Sequence, residues 1–267
     1  MDNYDVIAAL SGSGFSFQTA IASTVRNMGS FQVEEEVAWN DNTGVPRFLD
    51  LVASAESVRI CIECKVLKKS KLVFLVPKDT STPSTPLIHS VFLTRMEDPG
   101  RRSFVQYGDC SWLPASAQSM YCVVCGQNDK GGRLIERDAQ PLIQGTEQYA
   151  IDRIRTFQQD HDIVCVPLIC TTARIYIASF DPLAISLNDG LYKATEQDLT
   201  PVPVIRFTKQ FTADGPEASR RRTVIITQAD GLTSAMEGLR ATGVVRRTAT
   251  IFDPIQEDRN RRRFNYR

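Results

Sequence analysis

The 267-residue sequence predicts a mixed α/β fold. Three observations support this class: an amphipathic helical segment, three short strand segments directly after it, and a second helical segment followed by the most apolar stretch of the chain. The hydrophobic fraction of 42% and the charged fraction of 23% are typical of a globular protein with a full hydrophobic core.

The first quarter of the chain predicts one helix and three strands. Residues 15–29 carry apolar side chains at helical spacing, and Gly29 is a natural C-cap. Residues 31–39 alternate between apolar and polar side chains, and short strand segments follow at 47–53 and 58–66 with turn residues between them. The order is therefore helix, strand, strand, strand.

The middle of the chain is less regular. Residues 78–86 are rich in Ser, Thr and Pro and predict an exposed loop, and residues 87–140 contain only short apolar pieces. A helix is predicted over 141–158. A buried strand is predicted over 163–170, and its proximity in sequence to 174–179 favours pairing of the two.

The C-terminal part predicts a short strand at 223–227 and a helix at 230–240. We expect a catalytic core in residues 1–180, interrupted by an insertion at 67–140. Residues 181–267 would form an extension that ends in a basic tail.

Neither the apolar runs nor the first residues indicate a membrane protein. The longest clean apolar run, Ile163 to Cys170, has eight residues, whereas a bilayer-spanning helix needs about 20. The acidic start at Met1 to Asp5 is unlike a secretory signal.

Seven cysteines, an odd number, then favour free thiols in a reducing cytoplasm. Two CxxC spacings lie in segments with the residue pattern of strands. In a strand the two thiols of each spacing point to opposite faces, which favours burial over zinc binding.

Three ionisable residues interrupt the second and third strands. Asp50 lies among apolar residues of one strand, and Glu63 and Lys65 lie in the next. The period of two places Glu63 and Lys65 on one face, and the short connection allows Asp50 to lie beside them. Because buried ions are costly unless they are paired or bound to metal, this arrangement predicts a divalent-cation site.

The residue types fit phosphodiester hydrolysis. Mg²⁺ prefers oxygen ligands and is often held by one or two carboxylates with water and substrate phosphate. We expect Asp50 and Glu63 to bind the metal. Lys65 would either activate the attacking water or stabilise charge on the transition state, held in place by Glu63 and the phosphate.

The stretch RFLDLVASAESVRICIECK, with Asp50 and then Glu63-Cys64-Lys65 after a helix and a first strand, resembles the PD-(D/E)XK superfamily. This restriction endonuclease-like group includes type II restriction enzymes, Mrr-type enzymes, archaeal Holliday junction resolvases and uncharacterised bacterial proteins. The resemblance implies a core of helix, three strands, helix and strand. It also implies Asp50 and Glu63 as metal-binding acids, Lys65 as the catalytic lysine, and Mg²⁺ as cofactor with Mn²⁺ as a substitute.

Two positions depart from the pattern of the superfamily. Leu49 precedes Asp50 where the eponymous motif has Pro, and Gln18 occupies the place of a first-helix Glu found in the resolvases. Gln18 lacks the charge of that Glu. Glu34 and Glu36 share a face of the first strand, so Gln18 and Glu36 are the accessory candidates at the site.

The net charge is zero, but basic and acidic residues are unevenly distributed along the chain. Residues 220–267 contain 11 Arg against 5 Asp and Glu, and the clusters there include Arg220 to Arg222 and an Arg-rich end interleaved with aromatics. Arginine with aromatic residues suits phosphate contact and base stacking, although it also suits docking to an acidic protein. The candidate nucleic-acid-binding residues are Lys68, Lys69, Arg261, Arg262 and Arg263.

The sequence thus predicts a metal-dependent deoxyribonuclease that acts in bacterial restriction, repair or antiphage defence. An endonuclease is favoured over an exonuclease. A non-catalytic or partner-dependent nucleic-acid-binding subunit of such a complex is the alternative. The sequence is compatible both with binding to a protein partner and with formation of a homo-oligomer.

Overall fold

The computed structural model describes residues 14–41, 43–67, 70–78, 87–97, 102–112, 116–126, 134–153, 163–193, 195–210, 221–242 and 244–252. Three α-helices lie in these residues: α1 (Gly14–Asn27), α2 (Leu134–Arg153) and α3 (Leu232–Arg240). The strands are β1 (Gln32–Asn40), β2 (Pro46–Ser54), β3 (Val58–Lys65), β4 (Lys71–Pro77), β5 (Leu87–Glu97), β6 (Arg102–Ser111), β7 (Gln118–Ser119), β8 (Tyr121–Cys125), β9 (Ile163–Thr171), β10 (Arg174–Phe180), β11 (Leu199–Pro201), β12 (Val204–Gln210), β13 (Arg221–Gln228) and β14 (Val244–Phe252).

The described strands form two sheets. The large mixed sheet has the order β1-β2-β3-β9-β13-β12-β7, and β5, β6 and β14 branch from it through the pairing of β5 with β9. The small sheet has the order β11-β10-β4-β8. The predicted α/β class is therefore confirmed.

The N-terminal elements lie within two residues of their predicted bounds. Helix α1 buries Ile21, Ala22 and Val25, as the helical spacing required. Strands β1, β2 and β3 form an antiparallel meander, with Leu51 opposite Ile62 in the second pair. Local periodicity was sufficient here because each element has one apolar face.

Strand β9 lies at the centre of the large sheet, and all nine of its residues are buried. Strand β3 pairs with β9 in parallel along one edge. On the other edge, β5 pairs with residues 163–165 and β13 with residues 168–171. Pro167, which has no N–H to donate, lies where the partner changes, and this explains how a proline is accommodated in a central strand.

The predicted pairing of 163–170 with 174–179 is wrong. The chain bends at Thr172 and Ala173, and β10 enters the small sheet, where it pairs in parallel with β4. Strand β3 likewise continues into β4, so two neighbouring chains pass side by side from the large sheet to the small one. Hydrogen bonds join them at this bend, from Leu67 N to Thr172 Oγ1 (2.9 Å) and from Thr172 N to Lys65 O (3.2 Å).

The irregular character predicted for residues 87–140 is also wrong. Strands β5 and β6 are among the longest in the described chain and pair with each other. Because β5 also pairs with β9, this part of the proposed insertion belongs to the large sheet. Short apolar pieces were hard to recognise as strands without the partners that cover them.

Helix α2 begins seven residues before its predicted start at 141, and residues 154–158 lie outside the described chain. Pro141, which suits a helix N-terminus, instead lies inside the helix. The helix packs very closely on β1 and β2 at Gly145. A Cβ atom there would lie 2.8 Å from Leu49 Cδ2 and 2.9 Å from Trp39 Nε1.

The helices cover both faces of the large sheet. Helices α1 and α3 share one hydrophobic cluster with Leu51, Ile60 and Ile62, whereas α2 belongs to a second cluster that includes Leu49 and Cys61. Side chains of the small sheet, such as Phe74, join the second cluster. Within the described residues, no helix is both long and apolar enough to cross a membrane.

The strands after residue 180 belong to the same two sheets as the strands before it. Strand β13 pairs with β9 in parallel, and β12 pairs with β13. The division into a core and an extension at residue 180 stays a prediction.

Candidate active site

The meander brings Asp50 and Glu63 together. Because Leu51 lies opposite Ile62, continuing the register places Asp50 beside Glu63. Asp50 Oδ2 accepts a hydrogen bond of 2.7 Å from the backbone N–H of Cys64. The carboxylate of β2 is thereby anchored to the strand that carries the second acid.

Burial and neighbouring charges shift the pKa values of both carboxylates. Burial raises the pKa of Asp50, against the hydrogen bond from Cys64 N–H and the charge of Lys65, which both lower it. Burial raises the pKa of Glu63 to about 7, with further increases from the charges of Asp50 and Asp138 and a decrease from Lys65. The pair therefore holds more negative charge than its surroundings stabilise when both groups are ionised.

Lys65 ends β3 at the bend between the two sheets. Its backbone is fixed by pairing with Thr171 and by the N–H of Thr172. Its Nζ lies 3.0 Å from Oδ2 of Asp138 on α2, in an ion pair whose Asp138 side chain is only 11% exposed. The ion pair of Lys65 is with Asp138, while its charge also lowers the pKa of Glu63; the expected hold by Glu63 and a substrate phosphate stays a prediction.

Asp138 is the residue that sequence reasoning missed. The prediction began the second helix at 141 and left Asp138 in an irregular segment. Leu134, Ile135, Ala139 and Leu142 are all buried along α2. Their helical spacing is a signal that would have extended the helix over Asp138.

Gln18 reaches the site from α1. Its side chain is only 8% exposed, and Nε2 donates a hydrogen bond of 3.1 Å to the backbone oxygen of Asp50. The amide therefore supports the backbone of a proposed metal-binding acid. Its accessory role at the metal stays a prediction.

Glu36 lies opposite Asp50 at an irregular point of β1. The ladder pairs Glu35 with Leu51 and Val37 with Leu49, but it omits the intervening pair. Glu36 has a φ of 51°, the only positive value among the described residues other than glycine. Such left-handed backbone is costly outside glycine and often occurs at functional sites.

The other glutamates of the Glu34 to Glu36 run have cationic partners. Glu34 pairs with Arg153 of α2 at 2.9 Å, and Glu35 pairs with Arg26 of α1. The charge of Glu36 instead raises the pKa of Asp50. Of the three, Glu36 is thus the one that acts electrostatically on the candidate site.

The predicted nucleic-acid contacts cannot be placed, because Lys68, Lys69, Arg261, Arg262 and Arg263 lie outside the described residues. Within the Arg220 to Arg222 cluster, Arg222 is buried at 4% exposure and pairs with Glu147, with 3.5 Å between Nη1 and Oε2. A side chain enclosed in this way cannot contact a phosphate backbone. The interpretation of that cluster as a basic surface is therefore wrong at Arg222.

The donor set fits a magnesium ion that depends on two carboxylates. Asp50 and Glu63 provide hard oxygen ligands. Burial is the main cause of their raised pKa values and neighbouring carboxylates add to it, so a divalent cation would favour the ionised forms. In the described part of the chain, no three or more His, Cys, Asp and Glu side chains are grouped so as to hold a metal ion. Water and substrate phosphate would have to complete the coordination.

Comparison with known proteins yields no relative: no protein-family model, curated protein or solved structure matches this chain.

Proposed function

We propose that this protein is a Mg²⁺-dependent nuclease that hydrolyses phosphodiester bonds in DNA, acting in the cytoplasm in restriction, repair or antiphage defence. The observation that carries the proposal is the convergence of Asp50, Glu63 and Lys65 at one end of β3. Two half-buried carboxylates beside an ammonium are a suitable set for metal-assisted phosphodiester hydrolysis.

The element order supports the restriction endonuclease-like class. Helix α1 is followed by the meander of β1, β2 and β3, and α2 is followed by β9, which pairs in parallel with β3. The same order is implied by the PD-(D/E)XK resemblance of the sequence.

Asp50 and Glu63 would hold the metal ion, which supplies Lewis-acid polarisation of the phosphodiester when bound. Lys65 provides a positive charge that stabilises the charge developing on the phosphate oxygens. Asp138 fixes the direction of the Lys65 side chain through its ion pair. Gln18 stabilises the backbone at Asp50, so this proposed ligand has a fixed support.

The proposal is tested by incubating plasmid and linear DNA with the protein and Mg²⁺ or Mn²⁺. Wild type should cut, whereas Asp50→Asn and Lys65→Ala should lose activity by about 100-fold or more. Lys193→Ala removes an exposed lysine that lies outside the helices and strands and serves as the matched control. Equal cutting by all four proteins would reject the proposed site.

The second candidate is a non-catalytic or partner-dependent nucleic-acid-binding subunit. The observation that favours it is Gln18, whose neutral amide is committed to the Asp50 backbone and adds no charge to the two carboxylates. Calorimetric titration with Mg²⁺ separates the two candidates. Binding heat that disappears in Glu63→Gln supports the nuclease, and absence of carboxylate-dependent binding supports the binding subunit.

A further inference from the structure

A cleft of about 530 Å³ lies where the small sheet meets β12 and β13 of the large sheet. Its walls come from the end of β4, from the segment around β7 and the start of β8, and from Arg206 and Arg221. None of the lining residues belongs to the candidate active site. We call this feature the Arg206 cleft.

Arg206 is a buried cation in the wall of the cleft. It is only 4% exposed, and its guanidinium donates to neutral acceptors: Ser116 Oγ at 3.2 Å, Ser116 O at 2.7 Å and Leu87 O at 2.7 Å. No carboxylate of the described chain forms an ion pair with it. Arginine stays charged at any physiological pH, so this burial leaves a positive charge that no carboxylate in the described part of the chain neutralises.

Arg222 provides an internal comparison. It is on the adjacent strand, is buried to the same 4%, and has the carboxylate of Glu147 at 3.5 Å. Buried charges in proteins are normally paired in this way. Arg206 departs from that pattern, and it does so beside a cavity large enough to admit a ligand.

Two further cations line the cleft. Arg221 has an exposed position at the start of β13, and Lys78 follows β4, where its Nζ also lies 2.9 Å from Asp198. Among the described residues that line the cleft there is no Asp or Glu. Low-dielectric walls strengthen the field of such charges, so the cleft favours an anion.

The remaining wall is largely apolar. Leu75, Pro77 and Met120 contribute to it, and Tyr121 has 55% of its surface exposed. Ser116, Gln118, Ser119 and Ser179 also line the cleft, and a cleft of this volume that combines apolar surface with polar groups is typical of a small-molecule site. An occupant should therefore combine an anionic group with a flat apolar group that packs against these side chains.

We propose that the Arg206 cleft binds a nucleoside monophosphate, with the phosphate toward Arg206 and Arg221 and the base against the apolar wall near Tyr121. This inference is independent of the proposed nuclease activity, because it involves none of the residues of the candidate active site.

The test is calorimetric titration of the full chain in EDTA, which removes divalent cations from Asp50 and Glu63. The probes are deoxyadenosine monophosphate, thymidine monophosphate and the neutral nucleoside deoxyadenosine. At least one nucleotide should bind with a Kd below about 1 mM, and deoxyadenosine should bind at least tenfold more weakly than its monophosphate. No binding of either nucleotide, or equal binding of the nucleoside, would overturn the proposal.

Variants locate the binding. Arg206→Met and Arg221→Met should each weaken nucleotide binding by about tenfold or more, whereas Arg240→Met, an exposed arginine at the end of α3, should have no effect. If Arg206→Met fails to fold because its bonds to Ser116 and Leu87 are lost, Arg221→Met still decides, since Arg221 is exposed. Equal affinity of Arg221→Met and Arg240→Met would overturn the proposal.

Discussion

The ammonium of Lys65 lies 3.0 Å from the carboxylate of Asp138, and this ion pair joins the end of β3 to the first half of α2. A flexible lysine at the bend between two sheets thereby acquires a fixed direction. Asp138 also raises the pKa of Glu63, so it influences both the cation and one of the acids of the candidate site.

We therefore expect Asp138→Asn to lower Mg²⁺-dependent DNA cleavage by about 10- to 100-fold, less than Lys65→Ala. The change should also move the acidic limb of the pH–rate profile to lower pH, because removing the Asp138 charge lowers the pKa of Glu63. Asp152→Asn, on the exposed end of α2, is the matched control. An unchanged rate and pH profile in Asp138→Asn would contradict the positioning role.

Glu63→Gln should stabilise the metal-free protein at alkaline pH. The folded-state pKa of Glu63 is about 7, above its ordinary value of 4.5, so folding favours the protonated form. The stability contributed by this group is present at low pH and is lost as pH rises from about 4.5 through 7. The amide cannot ionise and avoids this loss.

In EDTA at pH 8, urea unfolding should therefore give Glu63→Gln a free energy of unfolding roughly 2–3 kcal/mol above wild type, with little difference at pH 4.5. Saturating Mg²⁺ should reduce the gap at pH 8 by stabilising wild type alone. If the difference in unfolding free energy between Glu63→Gln and wild type were the same at pH 8 and pH 4.5, the raised pKa of Glu63 in the folded protein would be contradicted.

Gly145→Ala should separate α2 from the sheet. The added methyl would lie 2.8 Å from Leu49 Cδ2 and 2.9 Å from the Trp39 ring, contacts that require a shift of helix or strand. We expect a loss of roughly 1–3 kcal/mol in unfolding free energy. Gly14→Ala, where no atom lies within 4 Å of the new Cβ, is the control and should be neutral or slightly stabilising. Equal stability of the two variants would contradict the close approach.

Arg222→Met should destabilise the protein by roughly 3 kcal/mol, because it leaves the half-buried carboxylate of Glu147 without the Arg222 cation. Arg221→Met, one residue earlier and exposed, should change stability by less than about 0.5 kcal/mol. Thermal unfolding measures both. If Arg222→Met instead kept full stability and lost salt-dependent DNA affinity, the residue would belong to a nucleic-acid surface after all.

Local patterns predicted the parts of the molecule that local physics determines. Alternation along β2 and β3 was enough to bring Asp50 and Glu63 to one place, since period-two geometry and a short turn leave few other arrangements. The same alternation carried an unused signal at Arg222, which shares its strand face with the buried Val224 and Ile226.

The missed features depend on distant partners. Strands β9 and β10 are adjacent in sequence, yet the bend at Thr172 sends them to different sheets, and the choice is set by pairing with β3 and β4. The ion pair of Asp138 with Lys65 likewise joins residues far apart in the chain. No periodicity within one segment specifies which sheet or side chain it will meet.

The position of β9 has a consequence for protein synthesis. Strand β9 is wholly buried, and its edges are completed by β3, about 100 residues before it, and by β13, about 50 residues after it. A ribosome-bound chain therefore exposes Asp50 and Glu63 long before the sheet that supports them can close. Contacts of such sequence separation form slowly. The large sheet therefore cannot be completed before β13 has been synthesised.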